Sequence, residues 1–179
     1  MSFLKSVLNN YKKVGAISPS SRFLYKKMAH SLDLSHDIHI IEFWAGNGIF
    51  TDELLKQITP NSKLSIFEIE PLFIAHLREK YLKESRVTLY DVGAEESNNL
   101  FDPESIDYVL SSLPLAFIEK KVVIKILTNA KYLLKENGKF LQFQYFLQNK
   151  KNIENVFSHV KYKFTFFNIP PAFIYICKK

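Results

Sequence analysis

Residues 42–51 read Glu-Phe-Trp-Ala-Gly-Asn-Gly-Ile-Phe-Thr, a glycine-bearing turn between an apolar run of strand character and a helix-like segment. Gly46 and Gly48 lack a Cβ, so the backbone there can take positive φ and lie close against a ligand. The next apolar run ends in Glu68-Ile69-Glu70-Pro71, and Glu68 follows Gly48 by 20 residues. A carboxylate at that separation, at the end of a second strand, is placed to accept both hydrogens of a ribose diol. Asp52 and Glu53 open the helix after the turn; they suit the helix dipole but would repel a pyrophosphate. The pattern predicts a nucleoside pocket for a ligand without phosphates, and a zwitterionic cofactor fits that description.

These residues can act together only if a sheet brings the strand ends to one edge. Short apolar runs of β character occur at 38–43, 64–69, 87–90, 106–111 and 140–146. Segments with 3.6-residue spacing occur at 50–57, 71–82 and 119–134, the last closed by Asn137-Gly138 as a helix stop. Alternating strands and helices predict a parallel sheet with helices on both faces. Near the end, Tyr162, Phe164 and Phe166 alternate with polar residues, and a turn through Pro170-Pro171 leads into Ala172–Cys177, which predicts a β-hairpin. The expected fold is therefore α/β, a Rossmann-like, doubly wound, mostly parallel sheet finished by a C-terminal antiparallel hairpin. Ligands in such sheets bind beyond the carboxyl ends of the strands.

Ahead of the first strand, residues 3–14 place Phe3, Leu4, Val7, Leu8, Tyr11 and Val14 on one helical face, with Lys5, Lys12 and Lys13 off it. Gly15 ends this amphipathic basic helix, and the serines of Ser18-Pro19-Ser20-Ser21 can cap a second helix running to about Leu32. Residues 1–35 thus read as an N-terminal helical extension of a single domain spanning 1–179.

The 179 residues carry 47% hydrophobic and 23% charged side chains, the balance of a globular protein. A net charge of +6 favours anionic partners, either nucleic acid or an acidic membrane surface. Of the 24 cationic residues only Arg22, Arg78 and Arg86 are arginines, and lysine suits diffuse attraction to phosphates better than base reading. A lone Cys177 excludes an internal disulfide framework and a cysteine-built zinc site. His30, His36, His39, His76 and His159 lack metal-ligand spacing, so no metal is expected. No run approaches the ~18–20 apolar residues of a membrane-spanning helix, and no secretion signal is evident. A cytoplasmic protein, peripheral at the inner membrane surface, is expected.

With these motifs in place, the sequence resembles the class I S-adenosylmethionine-dependent methyltransferases, whose first motif is an acidic residue followed by alternating glycines. The resemblance implies S-adenosyl-L-methionine as cofactor. It implies that Glu42, Trp44, Ala45, Gly46, Asn47 and Gly48 face the methionine part, that Glu68 and Ile69 hold the ribose, and that Gly93 and Ala94 lie at the adenine. Trp44 stands where the first glycine usually does, and Gly93 where an acid is often aimed at the adenine amine. Three further segments, at 14–21, 111–115 and 168–172, look like those of bacterial phospholipid N-methyltransferases, which methylate phosphatidylethanolamine and its methylated derivatives. That likeness implies a methyl acceptor at the turn Ser111, Ser112, Leu113 and Pro114, whose carbonyls can accept hydrogen bonds from a substrate amine, with Tyr11 as a candidate catalytic helper. Ser18, Ser20, Ser21, Arg22 and Tyr145 are the candidate lipid-binding residues. Two alternatives stay open: an RNA adenine-N6 methyltransferase, and a non-catalytic binding protein that keeps the fold.

Overall fold

The computed structural model describes residues 19–166 and 171–179. Helix α1 (Pro19–Ala29) leads into β1 (His39–Phe43), α2 (Ile49–Leu55), β2 (Lys63–Phe67), α3 (Pro71–Lys80) and β3 (Val87–Tyr90). A 3-10 segment, Ala94–Asn99, precedes β4 (Ile106–Ser111), and another, Leu115–Phe117, precedes α4 (Lys120–Leu133). The chain then forms β5 (Leu134–Gln144), α5 (Lys150–Val156), β6 (His159–Thr165) and β7 (Ala172–Lys178). The helix expected over 3–14, the turn before Pro19 and the tip of the final hairpin at 167–170 lie outside the described residues.

The seven strands form one sheet in the order β3-β2-β1-β4-β5-β7-β6. All pairs are parallel except those made by β7, which runs antiparallel to both β5 and β6. The expected hairpin is present, but its second strand inserts beside β5 and leaves β6 at the edge. Because β7 alone is reversed, β4, β5 and β6 point the same way, and their carboxyl ends share one edge with those of β1 and β2.

Consecutive residues of the central strands are apolar because both faces are covered. On one face Ile41, Phe43, Val109 and Phe140 meet Val123, Ile126, Leu127 and Ala130 of α4 and Ile153 of α5. On the other Ile40, Ile66, Leu110 and Leu141 meet Leu24 and Met28 of α1, Phe50 and Leu54 of α2, and Leu77 of α3. Burying each large aliphatic or aromatic side chain contributes about 1.5–3 kcal/mol. Tyr25 stacks on Phe50 with ring centroids 4.5 Å apart, which fixes α1 over the helix that follows the glycine turn. The chain changes faces between β1 and β4, where the carboxyl-end crevice opens.

Two element boundaries differ from expectation. α1 ends at Ala29 rather than near Leu32. Asn137-Gly138 does not stop a helix: α4 gives way to extended backbone at Leu134, φ −66° and ψ 136°, and Asn137-Gly138 sits in an irregular stretch of β5. α5 follows the fifth strand run, where helix-like sequence was expected without bounds, since its seven residues Lys-Lys-Asn-Ile-Glu-Asn-Val carry too few apolar positions to show a period.

Gly138 is needed for space rather than for a left-handed cap. A Cβ built there would lie 2.9 Å from the Lys135 carbonyl oxygen and 3.0 Å from that of Asp107. Asparagine is tolerated at a left-handed helix cap but not in such a crevice. Gly138→Ala and Gly138→Asn are therefore expected to destabilise the fold alike, by about 1–3 kcal/mol in urea unfolding. Tolerance of asparagine alone would restore the helix-stop reading.

Candidate functional site

The crevice is framed by the turn after β1. Trp44 at φ 66°, Gly46 at φ 58° and Gly48 at φ 79° all take left-handed backbone, so the chain curls back on itself within five residues. The Trp44 N–H donates to the Phe67 carbonyl at 2.9 Å and the Ala45 N–H to the same oxygen at 3.3 Å, tying the turn to the end of β2. Trp44 thus adopts the conformation for which glycine is the low-strain residue, at a cost of order 1–3 kcal/mol, and its ring packs on the core instead. The departure from the common motif at this position changes the side chain and keeps the backbone path. Over Gly46 the space is open: nothing lies within 4 Å of a Cβ built there.

Two buried carboxylates hold this frame. Glu68 Oε2 accepts the Gly46 N–H at 2.8 Å, and Oε1 accepts the N–H groups of Ile69 at 2.8 Å and Glu70 at 3.0 Å. Burial raises the Glu68 pKa, and these three donors work against the rise. Glu42 Oε2 accepts the Thr51 hydroxyl at 2.7 Å, while Oε1 is buried with no hydrogen-bond partner. Desolvation raises the Glu42 pKa to about 8, opposed by the Thr51 hydrogen bond and reinforced by the charge of Glu68. An acceptor left unsatisfied in a buried site is costly, and a cationic group brought beside it removes that cost.

Asp52 and Glu53 play a different part from the one expected. Asp52 Oδ2 meets Lys80 Nζ at 2.7 Å, and Glu53 is buried against Gln57. The Asp52 charge is therefore neutralised across α3 and does not set the ligand preference of the turn; the acidic character comes from Glu42 and Glu68. Lys80 also donates to the Asn47 carbonyl at 3.1 Å, and the Tyr81 hydroxyl lies 2.9 Å from that of Gly48. A Cβ at Gly48 would run into that hydroxyl. Lys80 and Tyr81 escaped sequence reasoning because their contacts cross 28 to 33 positions.

Beside the turn a cleft of about 480 Å³, its open mouth included, runs between the ends of β1, β2, β3 and β4. Trp44, Glu68, Ile69, Gly93, Ala94, Leu113 and Pro114 are among its walls, which brings the expected ribose and adenine positions together with the turn after β4. The Ser112 N–H donates to the Phe43 carbonyl at 3.1 Å, which fixes that turn against β1. The Leu113 carbonyl is not free to receive a substrate amine. It already accepts Gln142 Nε2 at 3.1 Å, Gln144 Nε2 at 2.9 Å and the Leu115 N–H at 2.9 Å. Ser111 Oγ lies 3.3 Å from the Leu113 N–H as its acceptor, and Ser112 Oγ is buried without a partner. Gln142 and Gln144 are polar residues two apart in the otherwise apolar run at 140–146, but nothing in the sequence points them at this turn.

The candidate substrate residues are dispersed. Arg22 is exposed in the first turns of α1, where Ser20 and Ser21 also fall; Ser18 and Tyr11 lie outside the described residues. Tyr145 follows β5 on the α1 side, 5.8 Å ring to ring from Phe143, and does not line the cleft.

This strand order, with a glycine turn and two buried acids at its carboxyl edge, defines a class I S-adenosylmethionine-dependent methyltransferase. The chain belongs to the family described as a methyltransferase domain, which matches residues 40–138, more than half its length. It is similar to the ornithine lipid N-methyltransferase of Singulisphaera acidiphila, 22% identical over 98% of this chain and 94% of that protein. It is also similar to ribosomal RNA small subunit methyltransferase A of Malacoplasma penetrans, 27% identical over 68% of this chain and only 42% of that protein. The 1,6-didemethyltoxoflavin-N1-methyltransferase of Burkholderia thailandensis, solved with S-adenosylhomocysteine, shares the fold with a TM-score of 0.76 at 14% identity, over 99% of this chain and 87% of its own.

The cofactor of this class is S-adenosyl-L-methionine, and the residues present fit it. The unpartnered Glu42 Oε1 suits its ammonium, the open space over Gly46 admits its amino-acid end, and the apolar cleft beyond Glu68 suits its nucleoside.

The buried state of Glu42 has a measurable consequence. Its folded pKa of about 8 exceeds the ordinary 4.5, so between these values the folded chain keeps a proton that the unfolded chain loses. Stability therefore falls as pH rises through that window, by at most about 1.4 kcal/mol per unit. Urea unfolding at pH 5, 6, 7 and 8 is expected to show a flatter decline in Glu42→Gln than in the wild type; identical slopes would contradict the buried protonated acid.

Proposed function

We propose that this methyltransferase acts on the amine headgroup of an aminolipid, phosphatidylethanolamine and its methylated derivatives, at a membrane surface. The observation that carries this reading is an exposed apolar rim on the carboxyl edge of the sheet. Phe117 after β4, Phe146 and Leu147 after β5, and Phe166 after β6 are 52%, 64%, 44% and 77% exposed. Each of the first two positions is followed by a lysine pair, Lys120-Lys121 and Lys150-Lys151, at the start of the next helix. Apolar side chains entering the acyl boundary beside lysines facing anionic headgroups are the elements of interfacial binding. The full-length similarity to a lipid N-methyltransferase supports the same reading. Among the described residues no helix is long and apolar enough to cross a membrane, so the rim serves docking rather than spanning.

When bound, the cofactor would supply an electrophilic methyl group on a sulfonium for transfer to the amine nitrogen, with Glu42 and the turn over Gly46 holding its amino-acid end and the cleft beside Glu68 its nucleoside. An ethanolamine ammonium titrates near lysine's range, so it must lose a proton before attack. The chain's part is positioning and desolvation. Gln142 and Gln144 hold the Leu113 carbonyl and keep the Ser111–Pro114 turn rigid beside the cleft, with the amine placed against the Ser112 side of that turn. Arg22 and the serines at the start of α1 are the proposed phosphate contacts, and the anionic membrane is the proposed partner.

Similarity to the ribosomal RNA enzyme supports a second reading, methylation of RNA. The scarcity of arginine favours the lipid. The test is methyl transfer from S-adenosylmethionine to phosphatidylethanolamine vesicles, with structured RNA as a parallel acceptor. Lipid methylation is expected, and a Phe146→Ser, Phe166→Ser variant should transfer to vesicles about tenfold more slowly while binding S-adenosylhomocysteine as before. Methylation of RNA alone would move the assignment to the second reading.

A further inference from the structure

We propose that Glu95 supplies the carboxylate that reads the exocyclic amine of the cofactor's adenine, in place of the side chain that Gly93 lacks. The cleft that receives the nucleoside has mainly apolar walls, and the carboxylates among its lining belong to Glu68 and Glu95. Glu68 is committed to three backbone N–H groups. Glu95 is different. Its backbone carbonyl accepts Asn129 Nδ2 at 2.9 Å, which pins the start of the 3-10 segment to α4, but its carboxylate makes no hydrogen bond or ion pair among the described residues. The neighbouring acid Glu96 is fully engaged, with Lys125 Nζ at 2.9 Å and Asn99 Nδ2 at 2.9 Å.

Position matters as much as freedom. A Cβ built on Gly93 would meet the carboxyl group of Glu95, whose Cδ and Oε1 lie 2.6 Å from it. The Glu95 carboxyl thus lies where a side chain at 93 would begin, reached from two residues further on. Gly93 has φ −70° and ψ 151°, which any residue adopts, so backbone conformation does not require glycine here. What a side chain there would displace is the folded-back Glu95 carboxyl, the movable end of its side chain. The two positions exchange roles: a glycine at 93 makes room for an acid delivered from 95.

An ionised carboxylate only accepts hydrogen bonds, so it favours an amino purine and opposes a purine bearing a carbonyl oxygen at that place. Such polar discrimination is large when the group is desolvated and unpaired against the wrong ligand. The inference concerns the cofactor and stands whichever acceptor the enzyme methylates.

The test compares calorimetric binding of S-adenosylhomocysteine and S-inosylhomocysteine, which differ at that exocyclic group. The wild type is expected to prefer the adenine ligand by about tenfold or more. In Glu95→Ala the preference should collapse through weaker binding of the adenine ligand, whereas Glu96→Ala should keep it. Placing Gly93→Asp on Glu95→Ala should restore the preference, since the space is then open. The ratio is internal to each preparation and does not depend on how much of a variant is folded. An unchanged ratio in Glu95→Ala, an equal loss of both ligands, or no preference in the wild type would overturn the proposal.

Discussion

The site depends on one arrangement: a buried carboxylate, Glu68, at the end of β2, accepting N–H groups from its own turn and from Gly46 across the crevice. The glycine turn leaves β1 in left-handed backbone that has no ladder to lean on, and three alternating strained or permissive positions, 44, 46 and 48, would otherwise wander. Glu68 turns that liability into a fixed frame, because charge-assisted hydrogen bonds to backbone amides are stronger than neutral ones and desolvation sharpens them. Lys80 and Tyr81 hold the far side of the same turn through the Asn47 and Gly48 carbonyls. Glu42 lies beneath it with an oxygen still to be satisfied. Shape and charge together favour a ligand with a cationic end and an uncharged nucleoside.

The architecture serves that frame. Parallel strands β1, β2 and β4 end together, so residues at 42–48, 68 and 111–114, far apart in sequence, meet at one edge. α1 and α2 are joined by Tyr25 and Phe50, so the helix leaving the turn has a buried foundation. On the opposite face α4 carries Val123, Ile126, Leu127 and Ala130 into the core, and Asn129 fixes the segment that bears Glu95. The paired glutamines of β5 play the corresponding part for the turn after β4, converting a proline-terminated strand end into a rigid wall.

Much of this was legible in the sequence, for identifiable reasons. β1 and β4 declared themselves as mainly apolar runs because they are covered on both faces, and Gly46 and Glu68, singled out by type and spacing, meet through a hydrogen bond at the ends of β1 and β2. The rest depended on contacts that no local pattern encodes. Lys135-Glu136-Asn137-Gly138 reads as a helix stop by composition, yet the chain is already extended at Leu134 and the glycine is there for clearance. The hairpin was visible, but its insertion with β7 beside β5 is a tertiary choice. Trp44 looked like a break in the motif, whereas its backbone keeps the glycine conformation. Asp52 looked like a ligand-sorting charge and is instead neutralised by Lys80.

The most direct test of the account is a calorimetric titration of the protein with S-adenosylhomocysteine, repeated on Glu68→Ala. Saturable binding by the wild type, weakened about a hundredfold or more in a variant that still unfolds cooperatively, is the predicted result, since the variant loses the carboxylate that frames the turn. Equal affinity in the two proteins, or no binding by the wild type, would contradict it.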